Sequence, residues 1–214
     1  MLIFIDQNLV FFAVPKTGTT AYESALRRRA DIIFRGRPTL KHINARKFDR
    51  SLAPYLAKAH KLHPERMAVL RDPLDQLRSW YRYRHQLPPE NENSTAGMRF
   101  DDFVTAHLRD RPPPFAKVGT QFGFVTGHNG AVRIDHLFAV ERPVALLEFL
   151  ADRFGEEITV PVRNVSPQVD TTLDPDIRRR YETARADDYA LYARVLEAGH
   201  LHTPLAAATG RIRA

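Results

Sequence analysis

The feature that most constrains this chain is an apolar segment that runs into a short Lys/Gly/Thr loop, Phe11–Thr20. The apolar residues predict a buried strand, and Gly18 permits a tight backbone turn before a helix begins. Free N–H groups and the helix dipole favour an anion at such a helix start, and Lys16 adds a full positive charge. The loop also carries three hydroxyl side chains: Thr17, Thr19 and Thr20. The segment therefore predicts a site for a phosphate-bearing ligand.

The order of residues in this loop separates it from the phosphate loop of nucleoside triphosphatases. That loop reads G-x-x-x-x-G-K-[ST], whereas here the loop is shorter and Lys16 precedes Gly18. The order argues against kinship with enzymes that hydrolyse ATP. Taken alone, the string is also compatible with an ordinary strand-to-helix turn, so a phosphate site needs a second, independent element.

A second strand running directly into a helix occupies Met67–Tyr81. Asp72 is suited to the N-cap, and Pro73 is suited to the first helical position, where its missing N–H is harmless. Apolar residues that recur at helical spacing predict the face turned to the core. They are Leu74, Leu77 and Tyr81.

Two polar residues of this segment are suited to a phosphate. Arg71 stands at the end of the strand, where a guanidinium fork fits phosphate geometry, and Ser79 lies two turns into the helix, where its hydroxyl adds a donor. The alternative interpretation is that Arg71 pairs with Asp75 or a neighbouring acid and that Ser79 is merely solvated. For this segment alone, that alternative is the more common situation.

Both segments, in this order, resemble sulfotransferases that use 3′-phosphoadenosine-5′-phosphosulfate (PAPS). Val14–Thr20 looks like the loop of that family that binds the 5′-phosphosulfate. Arg71 and Ser79 match the Arg and the Ser of its 3′-phosphate-binding segment. The resemblance is closest to the subgroup that includes carbohydrate sulfotransferases.

A third match lies towards the end of the chain. Val160–Pro167 is followed by Leu173–Asp176 and by a helical pattern to about Leu196. This resembles the C-terminal part of the family, in which an Asn-x-Ser/Thr stretch touches the nucleotide before a final helix with an Asp-Tyr pair, here Asp188-Tyr189. The matches span Phe11 to Tyr192, and their common order is more specific than any one of them.

The resemblance implies PAPS as the sulfuryl donor and 3′-phosphoadenosine-5′-phosphate (PAP) as a product. The residues that it implies for cofactor binding are Pro15, Lys16, Thr17, Gly18, Thr19, Thr20, Arg71, Ser79, Asn164 and Ser166. Lys16 is also the expected catalytic cation, which stabilises the leaving phosphate and the transferring sulfuryl oxygens. The expected reaction is in-line transfer to a hydroxyl, less often an amine, of a carbohydrate or small molecule, without a metal.

The base that takes the acceptor's proton is a separate question. His42 resembles a His that many small members carry between the first helix and the next strand, and an imidazole titrates near neutrality. We therefore expect His42 to be catalytic. Other candidates are His60 and His63, just before the second strand, and Glu23, one turn beyond the phosphate loop.

Strand-like and helical segments alternate along the chain. Strands are predicted at Leu2–Ile5, Leu9–Val14, Arg66–Leu70 and Ala131–Val140, and helices are predicted from Thr19, from Pro73 and over Pro143–Phe154. The alternation predicts an α/β fold, a three-layer sandwich with a mainly parallel central sheet and a P-loop-like phosphosulfate loop. Ligands of such folds lie beyond the carboxyl ends of strands, where Lys16 and Arg71 both stand.

We expect a single sulfotransferase domain over residues 1–214, with irregular insertions at about 86–99 and 111–130. Both insertions contain adjacent prolines, and loops of that length are usually disordered or functional. For the segment 86–99 two alternatives stay open, a lid or acceptor-binding loop and plain surface disorder.

The net charge of +7 fits an anionic cofactor, but also nucleic acid, anionic lipid or an acidic polysaccharide. The densest clusters, Arg27–Arg29 and Arg178–Arg180, fall on predicted helices. They are expected to be solvated faces, and the alternative that one of them lines an acceptor groove stays open. Since no nucleic-acid-binding signature is evident, we expect no nucleic-acid partner. The absence of Cys excludes disulfides, and Met1–Asp6 shows neither a signal peptide nor a membrane span. A cytoplasmic location is expected.

Two other functions remain open at this stage. A P-loop kinase-like, nucleotide-dependent transferase would share the sheet and the anion loop, but it would need ATP and magnesium and usually shows the residue order that is missing here. A non-enzymatic polyanion-binding protein would use the basic surface alone, with binding that weakens steeply in salt.

Overall fold

The computed structural model describes residues 1–161 and 168–205. Its strands are β1 (Leu2–Phe4), β2 (Leu9–Phe12), β3 (Ile32–Ile33), β4 (Glu65–Leu70), β5 (His136–Ala139) and β6 (His200–His202). Its α-helices are α1 (Thr19–Leu26), α2 (Pro38–Lys41), α3 (Ala45–Lys47), α4 (Ala53–His60), α5 (Pro73–His85), α6 (Phe100–His107), α7 (Gln121–Val125), α8 (Pro143–Phe154), α9 (Pro175–Ala184) and α10 (Ala186–Ala198). A π-helical turn at Phe48–Leu52 joins α3 to α4, and a 3-10 turn lies at Pro114–Ala116.

The strands form one sheet in the order β3-β1-β2-β4-β5-β6. In this part of the chain β4 is parallel to β2 and to β5, whereas β1–β2, β1–β3 and β5–β6 are antiparallel. The sheet is therefore mixed, and the prediction of a mainly parallel sheet is wrong. A tight turn closes β1 onto β2, with Asn8 in the left-handed region at φ 47°, and β6 returns antiparallel after α10.

Helices cover both faces of the sheet, which gives the three layers that the sequence predicts. Along β4, Met67 and Val69 face a hydrophobic cluster that includes residues of α1 and α8. Ala68 and Leu70 face the opposite cluster, which includes residues of α3, α4, α7 and α10. A strand buried on both faces reads as a continuous apolar run, and for this reason β4 stands out in the sequence.

A third cluster packs α5, α6 and α9 beside the sheet. Leu77 and Tyr81 of α5 meet Phe103 of α6 and Tyr181 of α9. The Tyr181 hydroxyl donates a hydrogen bond to the Pro73 carbonyl over 3.0 Å. This packing fixes the start of α5, the helix that carries Ser79.

The structure shortens one predicted strand and orders part of one predicted insertion. Helix α8 has the predicted bounds, but β5 covers only His136–Ala139 rather than Ala131–Val140. In the segment 111–130 the chain forms a 3-10 turn and the helix α7, where an irregular insertion was predicted. Thr120 explains this helix, because its hydroxyl accepts a hydrogen bond from the Gly123 N–H and caps α7.

Residues 86–99 contain neither a helix nor a strand until the N-cap of α6 at Arg99. Thr95 is fully buried there, and its hydroxyl donates to the Tyr81 carbonyl over 3.0 Å. The segment is thus held against α5. Among residues 1–161 and 168–205, no helix has the length and apolar character needed to cross a membrane.

Candidate functional site

A cavity of about 570 Å³ opens beyond the carboxyl ends of β2 and β4. Its lining comes from the loop after β2, from α2 and from α5, and comprises Pro15, Lys16, Gly18, Thr19, Thr20, Pro38, Lys41, His42, Arg71, Ser79, Trp80, Tyr83 and Arg84. Four of these side chains are Lys or Arg, and no Asp or Glu from the described parts of the chain is among them. An anion is the ligand that such a cavity favours.

The loop after β2 is held in a strained turn that leaves a helix start open. Lys16 and Gly18 both have left-handed backbones, at φ 66° and 74°. The Thr17 hydroxyl is buried and donates to the Val14 carbonyl over 3.0 Å, and the Gln76 amide of α5 donates to the Pro15 carbonyl over 2.8 Å. Since Gly18 at the N-cap of α1 offers no side-chain cap, the first N–H groups of α1 are left for another acceptor.

Lys16 has a pKa well below the ordinary value of a lysine. Its ammonium lies 4.3 Å from the centre of the Tyr83 ring and 5.7 Å from that of Trp80. Burial, followed by the nearby charge of Arg71, lowers the pKa of Lys16 to about 8. No carboxylate of the described residues lies within 4.0 Å of it. Such a half-buried ammonium without an anionic partner among the described residues is stabilised by a bound anion.

Arg71 is fixed through its backbone, and its side chain faces the cavity. The Gln121 amide of α7 accepts from the Arg71 N–H over 2.8 Å and donates to the Arg71 carbonyl over 2.7 Å. Asp75 pairs with Arg78 at 2.9 Å instead of with Arg71. Ser79 is only 6% exposed and lines the cavity too. The alternative of an Arg71–Asp75 pair with a solvated Ser79 is therefore wrong.

His42 lies at the C-cap of α2 and lines the same cavity. Its Nδ1 is 2.7 Å from the Ala13 carbonyl oxygen, an acceptor, so Nδ1 carries the proton and Nε2 keeps its lone pair. Burial lowers the pKa of His42. This effect is larger than that of the contact with the Ala13 carbonyl, which raises the pKa. A neutral imidazole with a free Nε2 is the form that a general base requires.

The other candidate bases are less well placed. His60 and His63 are exposed and do not line the cavity. Glu23 forms an ion pair with Lys41, with 3.1 Å between the carboxylate and the ammonium. Of the four candidates, only His42 faces the cavity.

Several residues that support the site are not marked by any local sequence pattern. Gln76 and Gln121 bind backbone carbonyls that lie 61 and 50 residues away along the chain, a pairing that no local pattern shows. The cavity is also lined by Lys41, Trp80 and Tyr83. Of these three, only Tyr83 could have been predicted from the sequence, because it lies one helical turn after Ser79 and so shares its face of α5.

The Asp188-Tyr189 pair contributes indirectly. Asp188 accepts a hydrogen bond from the Phe122 N–H over 2.9 Å, which anchors α7 and thereby Gln121 against Arg71. Asn164 and Ser166, the other predicted nucleotide contacts, lie outside the described residues. In the two Arg clusters, Arg29 pairs with Glu156 and Arg178 with Glu182, away from the cavity. Arg178–Arg180 lie on α9 as predicted, whereas Arg27–Arg29 form a turn after the end of α1, so their prediction as part of a helix is wrong.

One comparison with known proteins identifies a relationship. The model of the sulfotransferase family matches residues 1–196 of this chain. No curated protein and no solved structure matches it. The match covers the loop after β2, β4, α5 and all but the last two residues of α10.

Proposed function

The chain belongs to the sulfotransferase family, and from this premise we propose that it transfers the sulfuryl group of PAPS to a hydroxyl, less often an amine, of an acceptor. The observation that carries the proposal is the convergence of Lys16, Arg71, Ser79 and His42 on one cavity that no Asp or Glu of residues 1–161 and 168–205 lines. One cavity thus offers both the groups that would bind the nucleotide and a base for the acceptor.

The donor is placed by its two anionic ends. The 5′-phosphosulfate lies at the loop Pro15–Thr20, against the N–H groups at the start of α1 and the ammonium of Lys16. The 3′-phosphate lies at Arg71 and Ser79, which supply a guanidinium fork and a hydroxyl. Thr17 contributes its backbone alone, because its hydroxyl is engaged within the loop.

The transfer itself needs one bond made and one bond broken. The acceptor oxygen attacks sulfur and forms the new O–S bond, while the bond between sulfur and the bridging phosphate oxygen breaks and its electron pair leaves with PAP. The acceptor proton passes to Nε2 of His42, and Lys16 neutralises the charge that develops on the bridging and sulfuryl oxygens. This scheme requires no metal.

The acceptor side of the proposal rests on the resemblance. We place the chain in the carbohydrate-sulfotransferase-like subgroup, with a carbohydrate or a small molecule as the acceptor and with residues 1–214 as one domain. The segment 86–99 does not line the cavity, so a role as a lid requires it to move towards the donor. A polyanion-binding protein gives no role to a neutral His42 in the same cavity as Arg71.

A thermal-shift titration tests the cofactor class without knowledge of the acceptor. We expect PAP at about one hundred times its Kd to raise Tm by roughly 5–10 °C, because it binds only the native state, and we expect ADP to act more weakly. The measurement compares PAP, ADP and ATP with magnesium. A preference for ATP with magnesium would contradict the proposal and favour a kinase-like transferase, and no shift with any nucleotide would favour a polyanion-binding protein.

Replacing Arg71 with glutamine tests the site of the 3′-phosphate. We expect PAP to bind about 10–100-fold more weakly, because a charge-assisted hydrogen bond contributes about 1.5–3 kcal/mol. AMP, which lacks the 3′-phosphate, is expected to keep its affinity within about threefold of wild type. Titration calorimetry of both ligands measures the difference, with Arg99→Gln as the control at an exposed arginine. Equal weakening of PAP and AMP would remove Arg71 from the 3′-phosphate site.

A further inference from the structure

Four side chains on one face of the sheet form a cluster, Glu65, His136, His200 and His202, at the end opposite to the cavity. His136 and His202 are direct partners in the β5–β6 ladder, and His200 lies two residues from His202 on the same face. Met67 of β4 pairs with His136, so Glu65, two residues earlier, faces the same side. The register alone thus brings three imidazoles and a carboxylate together. We call this set the histidine cluster.

The buried member of the histidine cluster lacks a hydrogen-bond partner on one nitrogen. His136 is 3% exposed, and its Nε2 is fully buried without a hydrogen bond to any residue of 1–161 or 168–205. The atom lies 3.3 Å from Oε2 of Glu65, close enough for an ion pair when the imidazole is protonated, but without the geometry of a hydrogen bond. A buried polar atom left in this way requires an explanation.

We propose that the histidine cluster is a site for a divalent transition-metal ion of the Zn²⁺ class, bound by Glu65, His136 and His202. Their ligand atoms all lie within 4.8 Å of one another. Two His and one carboxylate form a known zinc ligand set that leaves a fourth position for water. Ligands about 2.0–2.1 Å from a tetrahedral ion stand about 3.3 Å apart, which agrees with the separation between His136 Nε2 and Glu65 Oε2.

His200 supplies the outer support that such a site needs. Its Nε2 lies 3.0 Å from Nδ1 of His136. When the His136 Nδ1–H donates to His200, the lone pair of His136 Nε2 is directed at the metal, and this is the tautomer that metal-binding imidazoles adopt. The ring of Phe149, 4.7 Å from that of His136, packs on the same cluster.

The two other proposed ligands, His202 and Glu65, leave the site accessible to an ion. His202 is exposed, and its ring is stacked on that of His136 with 4.5 Å between the centroids, so metal binding requires this ring to rotate and aim a nitrogen at the ion. Arg153 of α8 already donates to Oε2 of Glu65. A carboxylate oxygen has a second lone pair and its neighbour Oε1 is also available, so the ion pair with Arg153 and metal binding are compatible.

The position of the site indicates a structural role. Glu65 begins β4 and Arg71 follows its end, so the metal lies about 20 Å from the cavity by strand geometry. The ion joins β4 and β5 to β6, a three-residue edge strand. Metal binding is therefore expected to stabilise the fold without taking part in sulfuryl transfer.

The test uses the full chain without an affinity tag, freed of metal by chelation, and titrated with Zn²⁺ and Co²⁺. We expect one ion per chain, a rise in Tm with Zn²⁺ and visible absorption bands of tetrahedral Co²⁺. His202→Asn is expected to weaken Zn²⁺ binding at least about tenfold, since loss of an outer-shell partner alone costs that much. His60→Asn, at an exposed histidine of α4, is expected to bind like wild type.

A second variant keeps the test decisive if His202→Asn is poorly folded. Glu65→Gln changes a side chain that is 40% exposed, preserves its volume and removes one ligand. Circular dichroism verifies that each variant is folded. Zn²⁺ affinity that is equal in wild type and in both cluster variants, or no binding by wild type, overturns the proposal.

Discussion

Replacing Lys16 with methionine is expected to lower kcat/KM for PAPS by about 10²–10³-fold. In the proposed arrangement the ammonium stabilises the bridging oxygen, and removing one stabilising donor from a reacting oxygen has a cost of this size in other transfer enzymes. Methionine keeps the aliphatic stem against Trp80 and Tyr83, so the loss reports the charge rather than the packing. Steady-state sulfuryl transfer measures the loss.

The pH profile adds an independent signature of Lys16. Because burial lowers its pKa to about 8, the free enzyme loses this charge as the pH rises through about 8, and kcat/KM should fall above that value. Bound PAPS favours the protonated ammonium, so the corresponding fall in kcat is expected at a higher pH. Lys16→Met should show no alkaline fall of this origin.

The control for Lys16 is Lys58→Met, which removes one charge from an exposed position on α4. It is expected to retain wild-type kcat/KM and the alkaline limb. Comparable activity of the two variants would show that the net charge of the chain, rather than the ammonium at the phosphate loop, governs the rate.

The sequence predicted those parts of the site that are local. The loop after β2 and the Asp72–Pro73 start of α5 follow from neighbouring residues, and both are present: the Asp72 carboxylate caps α5 by accepting from the Asp75 N–H over 2.9 Å. Short-range chemistry of turns and caps is legible in a single sequence. The sequence also predicted that Lys16 and Arg71 lie together, because ligands of α/β folds lie beyond the carboxyl ends of parallel strands. The structure meets this condition, since β4 is parallel to β2 and to β5.

What the sequence did not predict depends on distant contacts. The bidentate contact of Gln121 with the Arg71 backbone joins two elements 50 residues apart, and no periodicity marks a glutamine for that role. The strands β3 and β6 contain only two and three residues, and a segment that short cannot show the residue pattern by which a strand is predicted. The histidine cluster appears only once the β5–β6 register is known, because His136 and His202 lie 66 positions apart.

Replacing His42 with glutamine is expected to lower kcat by about 10²–10⁴-fold, the usual contribution of a positioned general base. Glutamine can still donate to the Ala13 carbonyl, the contact that holds the imidazole, so the turn after α2 should keep its shape. What is lost is the free Nε2 that accepts the proton of the acceptor. PAP affinity is expected to stay near that of wild type, which separates a chemical defect from a binding defect.

The acidic limb of the pH profile decides whether His42 acts as the base. Burial places its pKa below the ordinary value of 6.5, so the imidazole is neutral at pH 7, and wild-type kcat/KM should fall only when the pH drops below 6.5. His42→Gln should lack this limb, and His63→Gln, at an exposed histidine, should keep it. Wild-type turnover by His42→Gln at every pH would remove His42 from the mechanism. The proton would then have to pass to another group or directly to water, since the candidate Glu23 is already paired with Lys41.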